Sequence, residues 1–577
     1  MTTIHRPLGD IRETAHRDGD DLLSAGLGSS GLRAKPPAFA DAAAPTPHEL
    51  RRRAIHANWN GIADLGPLGG YGTLYGGVPN VPGREYQAFA WIPGAHSPHR
   101  VLAQIPDAFD ARARCLLIAP ASGSRGVYGA IALAGAWGLP RGCAVVYTDK
   151  GAGTGYFDAD SQTGVRLDGA RARRGDAPLE FESATGHGVA IKHAHSGDHP
   201  EADWGRHVLQ AAQFGLAMLD RAFPAAAPFT PSNTRVIAVG LSNGGGAVLQ
   251  AAGLDQVGLL SGVVALEPNV HVDGHGRAAF DYVTEAALYL PCALLDVRFD
   301  AAPFARVPTL LPAWRARGAR LREAGLVAGG DVAAQSASAL ERLFAAGWDE
   351  PTLATAASST AFDLWRAVGA TYTSAYLRAP ADAMPCGFRF AAVDARGTAV
   401  AADAATRAAW WSDAAGIPPG NGVALLGGSD ASDDPTWIGL DGLRALWRGD
   451  SAEALRLRAS VAATAAAVPR ADLPILIAQG EGDGLLPIMF SSAPYVQALA
   501  AAGRAPTYWR VPHAQHFDAF LALPGFGERH VPLLPYGYAA LDALWAHLAN
   551  GTALPPSRRF DTRPRGAGAL ERAMLGM

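Results

Sequence analysis

The string Gly240-Leu241-Ser242-Asn243-Gly244 follows an apolar run at 235–239 and precedes a stretch, 244–253, that can open a helix. A G-x-S-x-G turn between strand and helix holds its serine in a strained backbone region, with the hydroxyl raised above the sheet's C-terminal edge. The flanking glycines remove side chains that would strike the neighbouring strand and helix, and the helix N-terminus favours negative charge at the turn. That chemistry is nucleophilic attack on a carbonyl, with Ser242 as nucleophile. A serine hydroxyl is weak unless a base takes its proton, and the base needs an orienting group.

On a fold of this kind the partners follow in the order acid, then histidine. An apolar run at 474–479 leads into Gly480-Glu481-Gly482-Asp483-Gly484-Leu485-Leu486-Pro487, where Asp483 is the expected acid and Glu481 the alternative. The next strand-like run, 507–511, leads into Pro512-His513-Ala514-Gln515-His516-Phe517-Asp518. His516 lies farther past the strand end and is the expected base, with His513 given a structural role. One helix and one strand fit between Asp483 and His516.

The oxyanion of a tetrahedral intermediate needs two preorganised N–H donors. Asn243, the residue after the nucleophile, is expected to supply one. The glycine-rich loop Ser122-Gly123-Ser124-Arg125-Gly126 is expected to supply the other, from Ser122, Gly123 or Ser124. Adjacent Trp410 and Trp411 are candidates for apolar contact with substrate, the alternative being two core tryptophans. No metal or cofactor is expected. His187, His193, His195 and His199 cluster without metal-ligand spacing, and Asp430, Asp433 and Asp434 lack the glycine and closing glutamate of a calcium loop. The loop 151–155 lacks the spaced glycine fingerprint of a dinucleotide site.

These loops need a scaffold. Strand-like runs at 115–119, 144–148, 235–239 and 262–266 alternate with helical stretches, including 200–223 after Pro200. The alternation implies a mostly parallel, doubly wound sheet covered by helices, an α/β-hydrolase arrangement. Segment 85–92 alternates apolar and polar residues, as an outer antiparallel strand does. The βα rhythm stops near 270 and resumes near 474. The expected organisation is an N-terminal arm (1–50), a catalytic domain (51–269 and 456–577) and a large, mainly helical cap inserted at 270–455.

The chain has 577 residues, long enough for a catalytic core plus an insertion. Apolar residues make up 49% and charged residues 18%, which excludes a disordered chain. A net charge of -4 and no basic run longer than Arg51-Arg52-Arg53 speak against a nucleic-acid partner. No apolar run reaches membrane-spanning length, so no membrane partner is expected. The four cysteines show no C-x-x-C spacing. Cys115 and Cys143, inside apolar runs, are expected to be small buried thiols, although a distant pair bridges if the protein is exported. The first thirty residues hold Asp10, Asp18, Asp20 and Asp21 and no apolar segment, so no signal peptide is expected in them. The expected compartment is the cytoplasm for the chain as written.

Further strings surround these motifs: Gly19-Asp20-Asp21-Leu22-Leu23, Glu49-Leu50-Arg51-Arg52-Arg53, Gly69-Gly70-Tyr71-Gly72, Thr148-Asp149-Lys150-Gly151, Ile191-Lys192-His193-Ala194-His195-Ser196 and Pro200-Glu201-Ala202-Asp203-Trp204-Gly205. With Ser122–Gly126 and the serine turn, they make the chain resemble the D-3-hydroxybutyrate oligomer hydrolase family. The resemblance implies cofactor-free hydrolysis of short 3-hydroxybutyrate esters to monomer, downstream of polyhydroxybutyrate depolymerases. It also implies a secreted or periplasmic site if the chain is a mature form. An oligomer of this kind ends in a carboxylate, and Arg125 is the candidate to pair with it, the alternative being an arginine that braces its own loop. Turn and spacing by themselves reach only a carboxylic-ester hydrolase. A feruloyl-esterase or tannase type, and a binding protein on a hydrolase fold, are the competing readings.

Overall fold

Buried runs of five to eight residues build the eight inner strands of a ten-stranded central sheet, flanked by a polar strand at one edge and a two-residue strand at the other. The computed structural model describes residues 8–123, 125–184, 187–413, 420, 422–429 and 432–577. The strands are β1 (Arg12–His16), β2 (Gly83–Ala90), β3 (His99–Pro106), β4 (Cys115–Pro120), β5 (Ala144–Asp149), β6 (Arg235–Leu241), β7 (Gly262–Leu266), β8 (Ile475–Gly480), β9 (Thr507–Val511) and β10 (Arg558–Arg559). Their spatial order is β1-β2-β3-β5-β4-β6-β7-β8-β9-β10. The pairs from β5 to β10 run parallel, and β1, β2 and β3 add an antiparallel edge.

Strand periodicity sends alternate side chains to opposite faces. Leu116, Ile118, Val236 and Ala238 pack with Trp204 and Val208 of α2 (Pro200–Ala222) and with Val248 and Leu249 of α3 (Asn243–Leu254). Leu117, Ala119, Ile237 and Val239 face the other way, toward Trp59 of α1 (Pro47–Ile62) and Leu541 and Leu544 of α6 (Leu534–Asn550). Helices thus cover both faces. β6, flanked by β4 and β7, brings the serine turn to the middle of the sheet's C-terminal edge.

Between β7 and β8 the chain leaves the sheet and forms mainly helices, among them α4 (Ala279–Ala293) and α5 (Leu364–Leu377), with one antiparallel hairpin of Phe388–Ala392 and Val423–Gly427. Helix Ala452–Ala462 precedes the return to the sheet at β8.

The N-terminal segment is more than an arm. β1 pairs along its length with β2, and Leu22, Leu23 and Leu32 are fully buried. The Asp21 carboxylate accepts N–H bonds from Leu23, Ser24 and Gly26, which fixes the turn that drives these leucines inward. Its polar composition concealed it because its charges are spent on local turns and on Arg51. A second correction concerns Cys115 and Cys143, which form a disulfide. β4 and β5 are parallel neighbours with Leu116 opposite Ala144, so the two preceding cysteines face each other across adjacent strands. Cys292 and Cys386 are free. Among the described residues no helix is long and apolar enough to cross a membrane.

Candidate active site

Ser242 sits between β6 and α3 with φ 57° and ψ −125°, a strained conformation for a residue with a side chain. The neighbouring glycines explain how the chain tolerates so tight a turn. A Cβ on Gly240 would lie 2.3 Å from the Gly244 carbonyl oxygen, and one on Gly244 would lie 2.5 Å from that of Pro120. The Ser242 N–H donates to the Leu266 carbonyl of β7 (2.9 Å), and its own carbonyl accepts from Gly246 and Asn269. The serine is pinned by backbone on three sides.

His516, on the loop after β9, has Nε2 at 3.0 Å from the Ser242 hydroxyl and Nδ1 at 2.8 Å from Asp483 Oδ2. Asp483 is fully buried on the loop after β8. Its Oδ1 accepts the N–H groups of Leu485 (2.9 Å) and Leu486 (2.7 Å), and Oδ2 also accepts from Gln479 (3.0 Å). With every lone-pair direction occupied, the carboxylate is locked in place and fixes the imidazole with its Nε2 toward the serine. A neutral imidazole donating from Nδ1 to Asp483 is the tautomer these partners select.

The other sequence candidates fall in different places. His513, at φ 60°, meets Thr562 at 2.9 Å and turns away from the serine. Glu481 holds a bidentate pair with Arg559 at the surface. Asn243 opens α3, where first-turn N–H groups lack intrahelical acceptors. Its side chain donates to the Tyr372 hydroxyl of α5 and accepts from Asn269. Gly123 approaches this amide so closely that an added Cβ would lie 3.1 Å from its nitrogen. Ser122, Gly123 and Arg125 line the same cleft as Ser242 and His516. Ser124 lies outside the described residues, as does Asp430.

The cleft holds about 110 Å³ and its walls come from two sources. Sheet loops supply Ser122, Leu266, Leu486 and Phe517; the helices after β7 supply Ala279, Val283, Leu364, Val368 and Tyr372. Trp410 and Trp411 do not line it, which corrects their assignment to substrate contact. Trp410 is wholly buried against Tyr156 and under Arg171, and Trp411 packs on Gly169 and Arg100. The adjacent tryptophans belong instead to the main hydrophobic core, where it extends to the small sheet of Tyr156–Asp158, Thr163–Val165, Arg171–Arg173 and Val189–Ile191.

One acid escaped the sequence reading. Glu267, immediately after β7 and at φ 38°, has Oε2 3.7 Å from His516 Nδ1, and that oxygen has no hydrogen-bond partner. Burial first, then the Asp483 charge, pushes its pKa well up, which favours the neutral carboxyl. The available signal was an acid at the end of the strand following the serine turn, a position that mirrors Asp483 one strand over. Glu267, Asp483 and His516 offer three ligand atoms within 4.8 Å, a spacing open to a metal, but His516 and Asp483 already spend theirs on hydrogen bonds. Asp518 lines the cleft too, pushed up to about 7 by burial, although the Leu533 and Leu534 N–H groups favour its ionised form.

The parallel sheet, the strained serine turn and the loops that meet it define an α/β hydrolase. More specifically, residues 4–575 match the family model described as 3HB-oligomer hydrolase (3HBOH), and the chain belongs to that family. It is 39% identical to the D-(-)-3-hydroxybutyrate oligomer hydrolase of Cupriavidus metallidurans, over 95% of this chain and 84% of that protein. The protein of the same name from Paracidovorax citrulli is 37% identical over 97% of this chain and 89% of its own length. Among solved structures, feruloyl esterase B from Aspergillus oryzae aligns with TM-score 0.37 and 12% identity over 86% of this chain and 85% of that one.

Proposed function

We propose that the protein is a serine esterase that cleaves short oligomers of D-3-hydroxybutyrate to monomers. The observation that carries this reading is the hydrogen-bonded series Asp483–His516–Ser242 at the floor of a largely apolar cleft. His516 takes the Ser242 proton as Oγ attacks the ester carbonyl, and the resulting oxyanion is held by the Asn243 N–H with a second donor from Ser122, Gly123 or Ser124. Collapse expels the alcohol end, which receives the proton from His516, and leaves a 3-hydroxybutyryl ester on Ser242. Water, deprotonated by His516, then attacks that ester; the acid departs and Ser242 regains its proton. Asp483 holds the imidazolium formed in both halves, and the residues alone complete the cycle.

Family membership narrows the ester class; names of relatives at 37–39% identity supply the substrate. The reading also assigns residues 270–455 a cap role over a catalytic domain of 51–269 and 456–577. The contributions of α4 and α5 to the cleft wall support it, as does the Tyr372 hydroxyl bonded to Asn243 at the serine turn. A capped cleft suits a short soluble chain better than a flat polymer surface. The test is a rate comparison among the dimer, trimer, amorphous polymer and a feruloyl ester. Dimer and trimer are expected to turn over fastest; fastest turnover of the feruloyl ester would overturn the substrate and spare the mechanism.

A further inference from the structure

Arg125 lies just beyond Ser122 and Gly123 on the loop after β4 and lines the same cleft as Ser242. Its side chain is only partly covered because the cleft reaches it, yet burial lowers its pKa to about 10, which leaves it charged near neutral pH. Four buried arginines each meet a carboxylate: Arg51 meets Glu85, Arg100 meets Glu180, Arg317 meets Asp434 and Arg444 meets Asp281. Arg171, half-buried like Arg125, is instead held by the Tyr156 and Thr163 oxygens. Arg125 meets no carboxylate among the described residues. Its two hydrogen bonds are long, from Nη1 to the Ala57 carbonyl at 3.5 Å and from Nη2 to the Gly61 carbonyl at 3.3 Å. A guanidinium carries five donors, so most are unspent.

The seat for this charge is built. Gly61 belongs to the last turn of α1, and a Cβ there would fall 1.9 Å from the Arg125 Cζ. Glycine is a poor helix former, and here its missing side chain is the space in which the guanidinium lies. The negative end of the α1 dipole offsets part of the cost of the buried charge. What remains is a planar fork in the catalytic cleft with no carboxylate partner among the described residues, the geometry that receives a carboxylate in two parallel bonds.

We propose that Arg125 binds the free carboxylate of the oligomer's terminal unit, so that the enzyme removes units one at a time from the carboxyl end. This rests on the oligomer reading above. In that orientation the terminal unit is the leaving alcohol. Only a methine and a methylene separate the scissile ester oxygen from the carboxylate, and Arg125 stands on the same short loop as the oxyanion candidates. The departing product is therefore 3-hydroxybutyrate, which carries its charge away, while the shortened chain stays esterified to Ser242 until water releases it. The released chain ends in a new carboxylate and is again a substrate.

The competing account is an arginine that only braces the end of α1, and the two differ in substrate dependence. The measurement is kcat/KM for the dimer as free acid and as methyl ester, in the wild type, Arg125→Met, Arg125→Lys and Gly61→Ala. The wild type is expected to prefer the acid by roughly 10- to 100-fold, the range of a charge-assisted bidentate contact. The preference should collapse toward unity in Arg125→Met and Gly61→Ala and be intermediate in Arg125→Lys. A hydroxyl-end-acetylated tetramer should release unmodified 3-hydroxybutyrate first. Equal wild-type rates on acid and ester, an Arg125→Met loss that falls equally on both, or first release of the acetylated unit would each overturn the proposal and leave the esterase standing. If neither dimer form is cleaved while a short p-nitrophenyl ester is, the oligomer reading falls, and this inference with it.

Discussion

The histidine–carboxylate pairs His516–Asp483 and His193–Glu201 are both buried and nearly equal in distance, and of these two only the first faces the cleft. His516 meets Asp483 at 2.8 Å, and His193 meets Glu201 at 2.7 Å. Behind the second pair stands Lys150, whose ammonium bonds the same Glu201 oxygen. Burial alone would raise the Glu201 pKa, but Lys150 and His193 bring it down to about 2. His193 is itself lowered to about 4 by burial and then by Lys150. The first histidine ends on a strained serine hydroxyl, whereas the second leaves Nδ1 unpartnered against the Tyr372 ring. A His–carboxylate pair is thus no site in itself; the nucleophile and the open space beside it make the difference.

The sharpest test of that contrast is Ser242→Ala. Loss of ester hydrolysis by on the order of 10⁴-fold or more is expected, with unfolding curves unchanged in midpoint to within a few degrees. A variant that kept a tenth of the activity would erase the distinction between the clusters.

Asp483→Asn ranks next, at roughly 10³- to 10⁴-fold, because an amide favours the wrong imidazole tautomer. Glu267 adds a finer expectation. The Asp483 charge is one of the causes that raise the Glu267 pKa, so its removal eases ionisation of a carboxyl 3.7 Å from His516 Nδ1. Residual activity in Asp483→Asn should therefore climb as pH rises, and adding Glu267→Gln should flatten the climb. Identical pH profiles for the single and double variants would reduce Glu267 to a bystander.

Third comes Glu201→Gln. It strips the buried Lys150 ammonium of its counter-charge, and removal of one partner from such a pair costs about 3–5 kcal/mol of stability. Urea denaturation measures the loss, and kcat per folded molecule should stay within about threefold. A collapse of kcat instead would make the second cluster part of the catalytic apparatus.

Much of the site was legible because its chemistry is local in sequence. Ser242, Asp483 and His516 each lie a few residues past a strand end, and strand ends are marked by apolar runs and turn residues. Glu267 obeys the same rule, but the expectation of one acid per site hid it. The misreadings arose where distant packing decides. Nothing near Trp410 and Trp411 in sequence tells that Tyr156 and Gly169 wait for them. β1 was hidden by its polar composition, since its pairing with β2 uses backbone groups that composition does not report. The Cys115–Cys143 bridge needed the β4–β5 register, which spacing alone leaves open.

The smallest effect concerns His193 and the direction of its pH dependence. Its folded pKa of about 4 lies below the ordinary 6.5, so the folded protein holds this imidazole neutral while the unfolded chain protonates it first. As pH falls from about 6.5 toward 4, the unfolded state takes up a proton that the native state refuses, and stability declines. Above 6.5 the stabilisation is fully present, and below 4 this group adds no further slope. His193→Gln keeps a donor for Glu201 but cannot titrate, so the decline across that window should become shallower by up to one proton, about 1.4 kcal/mol per pH unit. His99 and His530, both lowered to about 4, keep a residual slope in the variant. Urea unfolding at several pH values between 4 and 7 reads the difference, with ester hydrolysis at pH 7 as the control. An unchanged slope would mean that His193 is already charged in the native state. The Lys150–Glu201–His193 cluster would then carry a net positive charge beside Tyr372, and the quiet member of the comparison would have an electrostatic influence on the cleft.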